Sequence, residues 1–377
     1  MSEGPTNGAV LFAGGGSGGH IFPALAVAER IIDLLSDMPP ACVFVISEKP
    51  LDARLLRDAR LRGAAPIGHS IPARPFGASP GTLLRFMLSW QKSVGAARRL
   101  IRTLSDEHGS VKVVSTGGYV SAPVLRAARA ESCTTTLVSL DAVPGKAGRF
   151  ASRWADTVFT AEGSAPSSWE RIRPVVRSAS IGSGRTESRE ALGLPHDAPV
   201  LFVSGGSQGA RSINELMSAI LTQAPGLLTG RGWSVLHQSG DEADEGLRAL
   251  YERAGVHAIV RPVFHEVGLC WGAADAAIGR AGAGTVGEVW ANAVPTLFFP
   301  YPYHADDHQR LNARPLVEAG ACEVLDDTKD GARNLVQYRD RLDSWLIGKT
   351  PSENAASFGG LSPADGADAV AASVVGR

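Results

Sequence analysis

Gly14-Gly15-Gly16-Ser17-Gly18-Gly19-His20 combines the residue types needed to hold an anion and to move a proton. Glycine lets the backbone approach a phosphate closely, and a helix starting there presents unpaired N–H groups and a positive dipole end. Gly14, Gly16 and Gly19 also fit GxGxxG, with Glu48 after the next strand as a ribose-binding acid, so an NAD-dependent oxidoreductase is one reading. A tight turn without a ligand is the plainer one. His20 closes the run. An imidazole there is either a general base near neutral pH or a structural histidine bonded to a carbonyl. Ser115-Thr116-Gly117-Gly118-Tyr119 follows another strand and adds a second anion-friendly turn.

Three further stretches lie in the second half. Ser204-Gly205-Gly206-Ser207-Gln208-Gly209-Ala210 lacks GxGxxG, and Ser207 with its neighbouring backbone N–H groups suits a diphosphate. Gly279–Glu288, GRAGAGTVGE, leaves an apolar strand and enters a helix, where the carboxylate of Glu288 could accept both hydroxyls of a ribose; alone, it would be a solvated helix glutamate. In Tyr303–Asn312, YHADDHQRLN, the alternation His304, Asp306, His308 imitates a metal site. The stretch follows a strand, so it is expected at the carboxyl edge of a sheet, with His308, Gln309 and Asn312 hydrogen-bonding sugar hydroxyls.

Thr82–Leu104 reads as a basic amphipathic helix. Leu83, Leu84, Phe86, Met87 and Trp90 form an apolar patch, beside Arg85, Lys92, Arg98, Arg99 and Arg102. Such a helix can lie on an anionic membrane surface or simply pack on a sheet.

The elements that would position these residues announce themselves by repetition. Leu11–Gly19 is LFAGGGSGG and Leu201–Gly209 is LFVSGGSQG, identical at six of nine positions at an offset of 190 residues. Each follows an apolar lead-in and precedes a helical pattern, Pro23–Ile32 and Arg211–Leu221. Apolar strands are predicted at Cys42–Ile46, Val111–Val114, Thr136–Val138, Thr157–Thr160, Leu201–Val203, Ser234–Leu236, Ala258–Val260, Ala276–Ile278 and Thr296–Phe299. Continuous apolar strands separated by helices imply parallel sheets covered on both faces. The expectation is α/β: two doubly wound Rossmann-like domains with a cleft between them. The joint is placed near Ser178–Pro195, which gives domains at 1–180 and 181–350. Pro351–Gly366 reads as a loop, and Ala367–Val375 as a final helix that is a candidate to complete the first domain.

Bulk properties agree. At 377 residues, two domains are the default. The 37 basic and 38 acidic side chains leave no cationic excess, which demotes nucleic-acid binding. Cys42, Cys133, Cys270 and Cys322 form no CxxC pair, so zinc and disulfides are not expected. No uninterrupted apolar run is long enough to span a membrane, and Met1–Gly8 does not read as a signal peptide, which predicts a cytoplasmic protein.

Taken together, these stretches resemble the MurG family. The matching pieces are GGGSGGHIFPALAVAERI at Gly14–Ile31, TGGYVSAP at Thr116–Pro123, AVPGKAGR at Ala142–Arg149, SGGSQGARSIN at Ser204–Asn214 and RAGAGTVGEVWANAVPTLFFPYPYHADDHQRLNA at Arg280–Ala313. The resemblance implies the GT-B fold and an inverting glycosyltransferase without a metal. It would move N-acetylglucosamine (GlcNAc) from UDP-GlcNAc to undecaprenyl-diphospho-MurNAc-pentapeptide at the cytoplasmic face of the plasma membrane. It further implies a donor site in the second domain. There Ser207 and Gln208 would meet the diphosphate, Glu288 the ribose, the backbone near Phe264 the uracil, and Gln309 and Asn312 the sugar, with Arg185, Arg280 and His308 also on the donor side. In the first domain, Gly15, Gly16, Ser17, Gly18, Gly19, Thr116, Gly117, Gly118, Tyr119 and Asp141 would face the acceptor diphosphate, His20 would take the proton, and the apolar–basic helix would rest on the membrane.

The chain departs from the family at three places. Val138-Ser139-Leu140-Asp141 stands where HEQN is usual, Gly182-Ser183-Gly184-Arg185 where GNPVR is usual, and His308 where a glutamine often contacts the sugar. The first departure keeps open a UDP-sugar transferase with another lipid or small-molecule acceptor. The oxidoreductase and a non-catalytic binding module rank behind it.

Overall fold

A computed structural model describes residues 8–75, 80–161, 166–206, 209–240, 244–303 and 306–377, without the side chains of Pro80, Leu83 and Asp244. The chain forms two compact units. One runs up to Arg177 and takes back Asp365–Arg377; the other is Ser178–Ala364.

The first unit holds strands β1 (Ala9–Gly14), β2 (Ala41–Ser47), β3 (Ile67–Ile71), β4 (Val111–Gly117), β5 (Thr134–Ser139), β6 (Thr157–Thr160) and β7 (Glu170–Arg171). Its helices are α1 (Gly18–Leu34), α2 (Pro50–Asp58), α3 (Pro80–His108), α4 (Ser121–Ala130) and α5 (Lys146–Ala151). The second unit holds β8 (Val200–Ser204), β9 (Ser234–Gln238), β10 (Ala258–Arg261), β11 (Ala276–Gly279), β12 (Thr296–Phe298) and β13 (Glu323–Val324). Its helices are α6 (Arg185–Leu192), α7 (Arg211–Gln223), α8 (Gly226–Thr229), α9 (Asp244–Arg253), α10 (Val267–Ala273), α11 (Ala283–Asn292), α12 (His308–Glu318), α13 (Gly331–Gln337), α14 (Arg339–Leu346) and α15 (Thr350–Ala355). The last helix, α16 (Gly366–Val375), belongs to the first unit.

Both sheets are parallel and wind the same way: β3-β2-β1-β4-β5-β6-β7 and β10-β9-β8-β11-β12-β13. The order reverses between β1 and β4 in one unit and between β8 and β11 in the other. Ligands of open α/β sheets bind outside the carboxyl ends of the strands at that point. The central strands are buried on both faces. Val10 and Phe12 of β1 pack with Ile21, Leu25 and Ile31 of α1, whereas Leu11 and Ala13 pack with Ala97, Ile101 and Leu104 of α3. Leu201 and Val203 of β8 likewise face α7 while Val200 and Phe202 face α10 and α11. Each such Val, Leu, Ile or Phe side chain contributes roughly 1.5–3 kcal/mol by its burial, which anchors the strands ending at the two switch points.

Some segments differ from the sequence reading. The stretch Ser178–Pro195 contains helix α6, held by Arg189, whose buried guanidinium binds Asp275 at 2.6 Å and the carbonyls of Ala273, His196 and Ala198. Pro351–Gly366 is no plain loop: α15 and a 3-10 turn at Ala356–Gly360 occupy it, with Phe358 buried in the second core.

Candidate active site

In the first unit the glycine run leaves β1, and α1 begins at Gly18 with Ser17 in extended conformation as its N-cap. The second turn, Thr116–Tyr119, leaves β4, so the two turns adjoin at the switch point. They are bonded together through His20. Its Nδ1 lies 3.1 Å from the Thr116 carbonyl, and the Thr116 hydroxyl donates to the His20 carbonyl at 2.6 Å. A carbonyl only accepts, so Nδ1 carries the hydrogen and Nε2 of the neutral ring is the free lone pair. Burial lowers the His20 pKa below its ordinary 6.5, against the opposing pull of the Thr116 carbonyl and the charges of Asp141 and Asp52. The ring is therefore neutral at neutral pH. The alternatives of base and carbonyl-bonded histidine are not exclusive, because the carbonyl bond occupies Nδ1 and leaves Nε2 as the nitrogen with the lone pair.

The close approach explains the glycines. Gly118 has φ +79°, and a Cβ there would collide with the Gly15 carbonyl. The Tyr119 ring packs against Gly16, where a Cβ would stand 2.9 Å from Cε1. Asp141, at the end of the neighbouring strand β5, is near enough for its charge to act on His20.

Two residues that sequence reasoning passed over complete this site. Asp52 of α2 is fully buried; its Oδ2 accepts the Gly16 N–H at 2.7 Å and the Ser47 hydroxyl at 2.5 Å. The Gly16 amide is therefore engaged within the protein. Lys49 donates to the Gly16 carbonyl at 3.1 Å. The signal for both was the polar segment Ser47–Asp52 directly after β2, at the same sheet edge. Glu48, the acid of the dinucleotide reading, pairs instead with Arg74 at 3.1 Å.

In the second unit the turn after β8 leads into α7. Ser207 and Gln208 lie outside the described residues. Around them the frame is tight: a Cβ on Gly205 would collide with the Ala210 amide. Gln238, buried at the end of β9 and missed in the sequence, donates to the Gly206 carbonyl at 2.9 Å and accepts the Phe264 N–H at 3.0 Å. It fixes the turn after β8 to the turn after β10. The Phe264 amide is thus engaged within the protein. Glu288, in the second turn of α11, accepts from Trp271 Nε1 at 3.1 Å, which orients its carboxylate.

The stretch expected to be a polar loop after β12 becomes helix at His308, so His308, Gln309 and Asn312 stand on the first turns of α12. Gln309 accepts the Tyr301 N–H at 2.8 Å, and Asn312 donates to the Ala281 carbonyl at 3.2 Å, tying α12 to the turn after β11. His308 Nδ1 pairs with Asp306 at 2.7 Å, while His304 lies outside the described residues. Among the described residues no three His, Cys, Asp or Glu side chains gather as a metal site.

Two arginines expected on the donor side pair with carboxylates of the protein. Arg280 is buried; its guanidinium binds Asp327 at 2.6 Å, the Phe299 and Pro300 carbonyls, and Ser212 at 2.8 Å. It clamps the turns after β11, β12 and β13 to α7, so it supports the site from beneath. Hydrogen bonds from Ser212, Asn334 and Arg280 hold the Asp327 carboxyl below the usual carboxylate range, outweighing the opposing effect of burial. Arg185 stands at the amino edge of the sheet, paired with Asp275 at 2.9 Å just before β11. A strand of about five residues spans roughly 15 Å, which separates Arg185 from the carboxyl-edge turns.

The surface helix α3 presents Leu84, Met87 and Leu88 at 57%, 61% and 65% exposure. The Leu83 side chain is not described. Phe86 and Trp90 are half-buried: the Trp90 ring lies 5.6 Å from that of Phe86 in a tilted arrangement and packs against Phe150 and Trp154. They support the patch from below, and Leu88, not singled out in the sequence, extends it. Arg98 and Arg102 pair with Glu131 at 2.7 and 2.9 Å, which removes them from the basic set expected to face lipid. No described helix is long and apolar enough to cross a membrane.

Comparison with known proteins places this geometry among relatives. Residues 10–160 match the glycosyltransferase family 28 N-terminal domain and residues 200–355 its C-terminal domain. A UDP-N-acetylglucosamine–N-acetylmuramyl-(pentapeptide) pyrophosphoryl-undecaprenol N-acetylglucosamine transferase of Desulforudis audaxviator is 35% identical over 338 residues, 84% of this chain and 85% of that one. The protein of that name from Chlorobaculum parvum is 32% identical over 379 residues, 98% of each chain. Among solved structures, Acinetobacter baumannii MurG superposes with a TM-score of 0.70 at 24% identity, covering 98% of this chain and 100% of that one, a likeness of fold.

Proposed function

The chain belongs to the MurG family within glycosyltransferase family 28, and from that premise we propose that it transfers GlcNAc from UDP-GlcNAc to undecaprenyl-diphospho-MurNAc-pentapeptide in peptidoglycan synthesis. The observation that carries this reading is the match to transferases of that activity along nearly the whole chain. The geometry agrees with it: two switch points, each with glycine turns and a helix start, suit a reaction whose donor and acceptor are both diphosphates.

In the proposed mechanism the acceptor hydroxyl oxygen attacks the anomeric carbon of GlcNAc. The new C–O bond forms as the bond to the UDP oxygen breaks, and UDP leaves with the electron pair. His20 Nε2 takes the hydroxyl proton. Charge growing on the departing diphosphate meets the start of α7, whose first backbone N–H groups are held in place by the helix and are therefore effective without reorganisation. Ser207 and Gln208 are assigned to that diphosphate and Glu288 to the ribose. The segment at Phe264 is assigned to uracil, through groups other than its engaged amide. His308, Gln309 and Asn312 are assigned to the sugar. Thr116–Tyr119, Asp141 and the remaining amides of 15–19 take the acceptor side. No metal is needed on this reading, and α3 rests on the membrane that holds the lipid acceptor.

The test is transfer of labelled GlcNAc to a short-chain acceptor analogue in the presence of a chelator. Lipid-bound product is expected, and Glu288→Ala should raise the KM for UDP-GlcNAc about tenfold or more, the loss of charge-assisted hydrogen bonds to two hydroxyls. Absence of product with every lipid-linked acceptor, despite UDP-GlcNAc binding, would refute the assignment of the acceptor.

A further inference from the structure

The two turns of the first unit contain a charge conflict. The turn that would receive a diphosphate rests on a buried anion: Asp52 lies beneath Gly16 and takes its N–H, and Asp52 Oδ1 is buried with no hydrogen-bond partner among the described residues. A like charge under an anion site opposes binding, the more so where water is excluded. The start of α1 offers only about half a positive charge in compensation. A full positive charge stands at the rim. Lys49 Nζ lies 3.1 Å from the Gly16 carbonyl and 5.6 Å from the centre of the Tyr119 ring, so one ammonium touches both turns. Lys49 is exposed, and these two contacts are to neutral groups. An ammonium has three N–H donors, and the Gly16 carbonyl takes one.

The placement is built by one short segment. The Asp52 N–H bonds to the Lys49 carbonyl at 3.0 Å, so the turn that sends Asp52 under the glycine run sends Lys49 over it. Pro50 starts α2 between them and fixes the backbone at that step.

We propose that Lys49 is a further binding residue of the acceptor site: its ammonium, held ready by Gly16 and Tyr119, engages the diphosphate of the lipid-linked acceptor and offsets Asp52. The proposal rests on the reading that the first unit binds a prenyl-diphosphate acceptor.

The experiment measures binding of farnesyl diphosphate, a short prenyl diphosphate, to the full-length chain by calorimetry, beside the transfer assay. Lys49→Ala should bind the probe roughly five- to twentyfold more weakly, as expected for loss of one charged hydrogen bond. Lys49→Arg, which keeps the charge, should recover most of the affinity. The gap between the native protein and Lys49→Ala should narrow as salt rises from about 0.05 to about 0.5 M, since an exposed charge is screened. UDP binding in the second unit serves as the folding control. Equal probe affinity in the native protein and Lys49→Ala at low salt overturns the proposal. So does a native protein that fails to bind the probe, or a Lys49→Ala defect that is indifferent to salt and unrelieved by arginine, which would mark a structural lysine. A native protein that transfers nothing, yet loses probe affinity with Lys49→Ala, would refute the transferase reading and leave the anion site standing.

Discussion

The base role proposed for His20 needs a neutral ring, and its surroundings favour that in two ways. The Thr116 carbonyl fixes the hydrogen on Nδ1, and burial disfavours the charged ring. The sign of the consequence is fixed. A histidine whose folded pKa is lowered stays neutral to lower pH than a free one, so the acid limb of kcat/KM should lie at lower pH than a free imidazole would give. His20→Ala should lose roughly 10²–10⁴-fold in kcat and abolish that limb. A variant that kept the limb would assign the titration to another group. At this scale the sequence displayed His20 and the glycines, because turn chemistry is local. It hid Asp52, Lys49, Gln238 and Asp327, because each acts on a partner brought near only by folding: Gly16 for the first two, Gly206 and Phe264 for Gln238, Arg280 for Asp327. Arg185 and Arg280, placed on the donor side by the resemblance, each meet a carboxylate that only folding brings near, Asp275 and Asp327.

At the scale of elements, long apolar runs were legible and edges were not. β1 (AVLFAG), β8 (VLFVS) and β11 (AAIG) are buried throughout and read as short apolar runs, and the VKVV of β4 is nearly so. β3 is an edge strand with Ile67, Gly68, His69 and Ser70 all exposed, so it carries no hydrophobic pattern to detect. β7 and β13 have two residues each. Helix α3 shows the reverse difficulty: its amphipathic pattern was plain, but packing and lipid contact give the same pattern. The structure separates them along the helix, with Ala97, Ile101 and Leu104 in the core and Leu84, Met87 and Leu88 outward. If the outward end rests on lipid, replacing Leu84, Met87 and Leu88 together by serine should weaken binding to anionic vesicles at least about tenfold, as the apolar contribution is removed. Transfer to a water-soluble acceptor analogue should be little changed. Vesicle co-sedimentation reads the first effect, and undiminished co-sedimentation would identify the patch as serving some other purpose.

Each unit of the whole molecule repeats one plan: a turn after the first central strand, a second turn after the strand beyond the switch, and a buried carboxylate beneath, Asp52 in one and Asp327 in the other. What differs is how the units are closed. The second is continuous in sequence, whereas the first is completed by α16 from the far end of the chain. That helix packs on α1, burying Ala367, Val370, Ala371 and Val374 in the core under β1. Lys112 of β4 donates to the Val374 carbonyl at 2.6 Å, and Arg30 of α1 pairs with Asp368 at 3.1 Å. Gly366 sits against the Arg173 and Pro174 carbonyls so closely that a Cβ would collide. The ion pair, open to solvent on its Asp368 side, contributes little. Two buried valines and two buried alanines contribute about 4–6 kcal/mol, a large share of the stability of a domain this size. Truncation before Asp365 should therefore lower the unfolding temperature of the first unit by roughly 10 °C or more while leaving that of the second nearly unchanged. Calorimetry can assign the transitions, because UDP, bound only by the second unit on the present reading, should raise one of them and not the other. If truncation shifted the UDP-sensitive transition instead, the return of α16 to the first unit would not be what stabilises it, and the donor site would have to be sought in the unit that α16 completes.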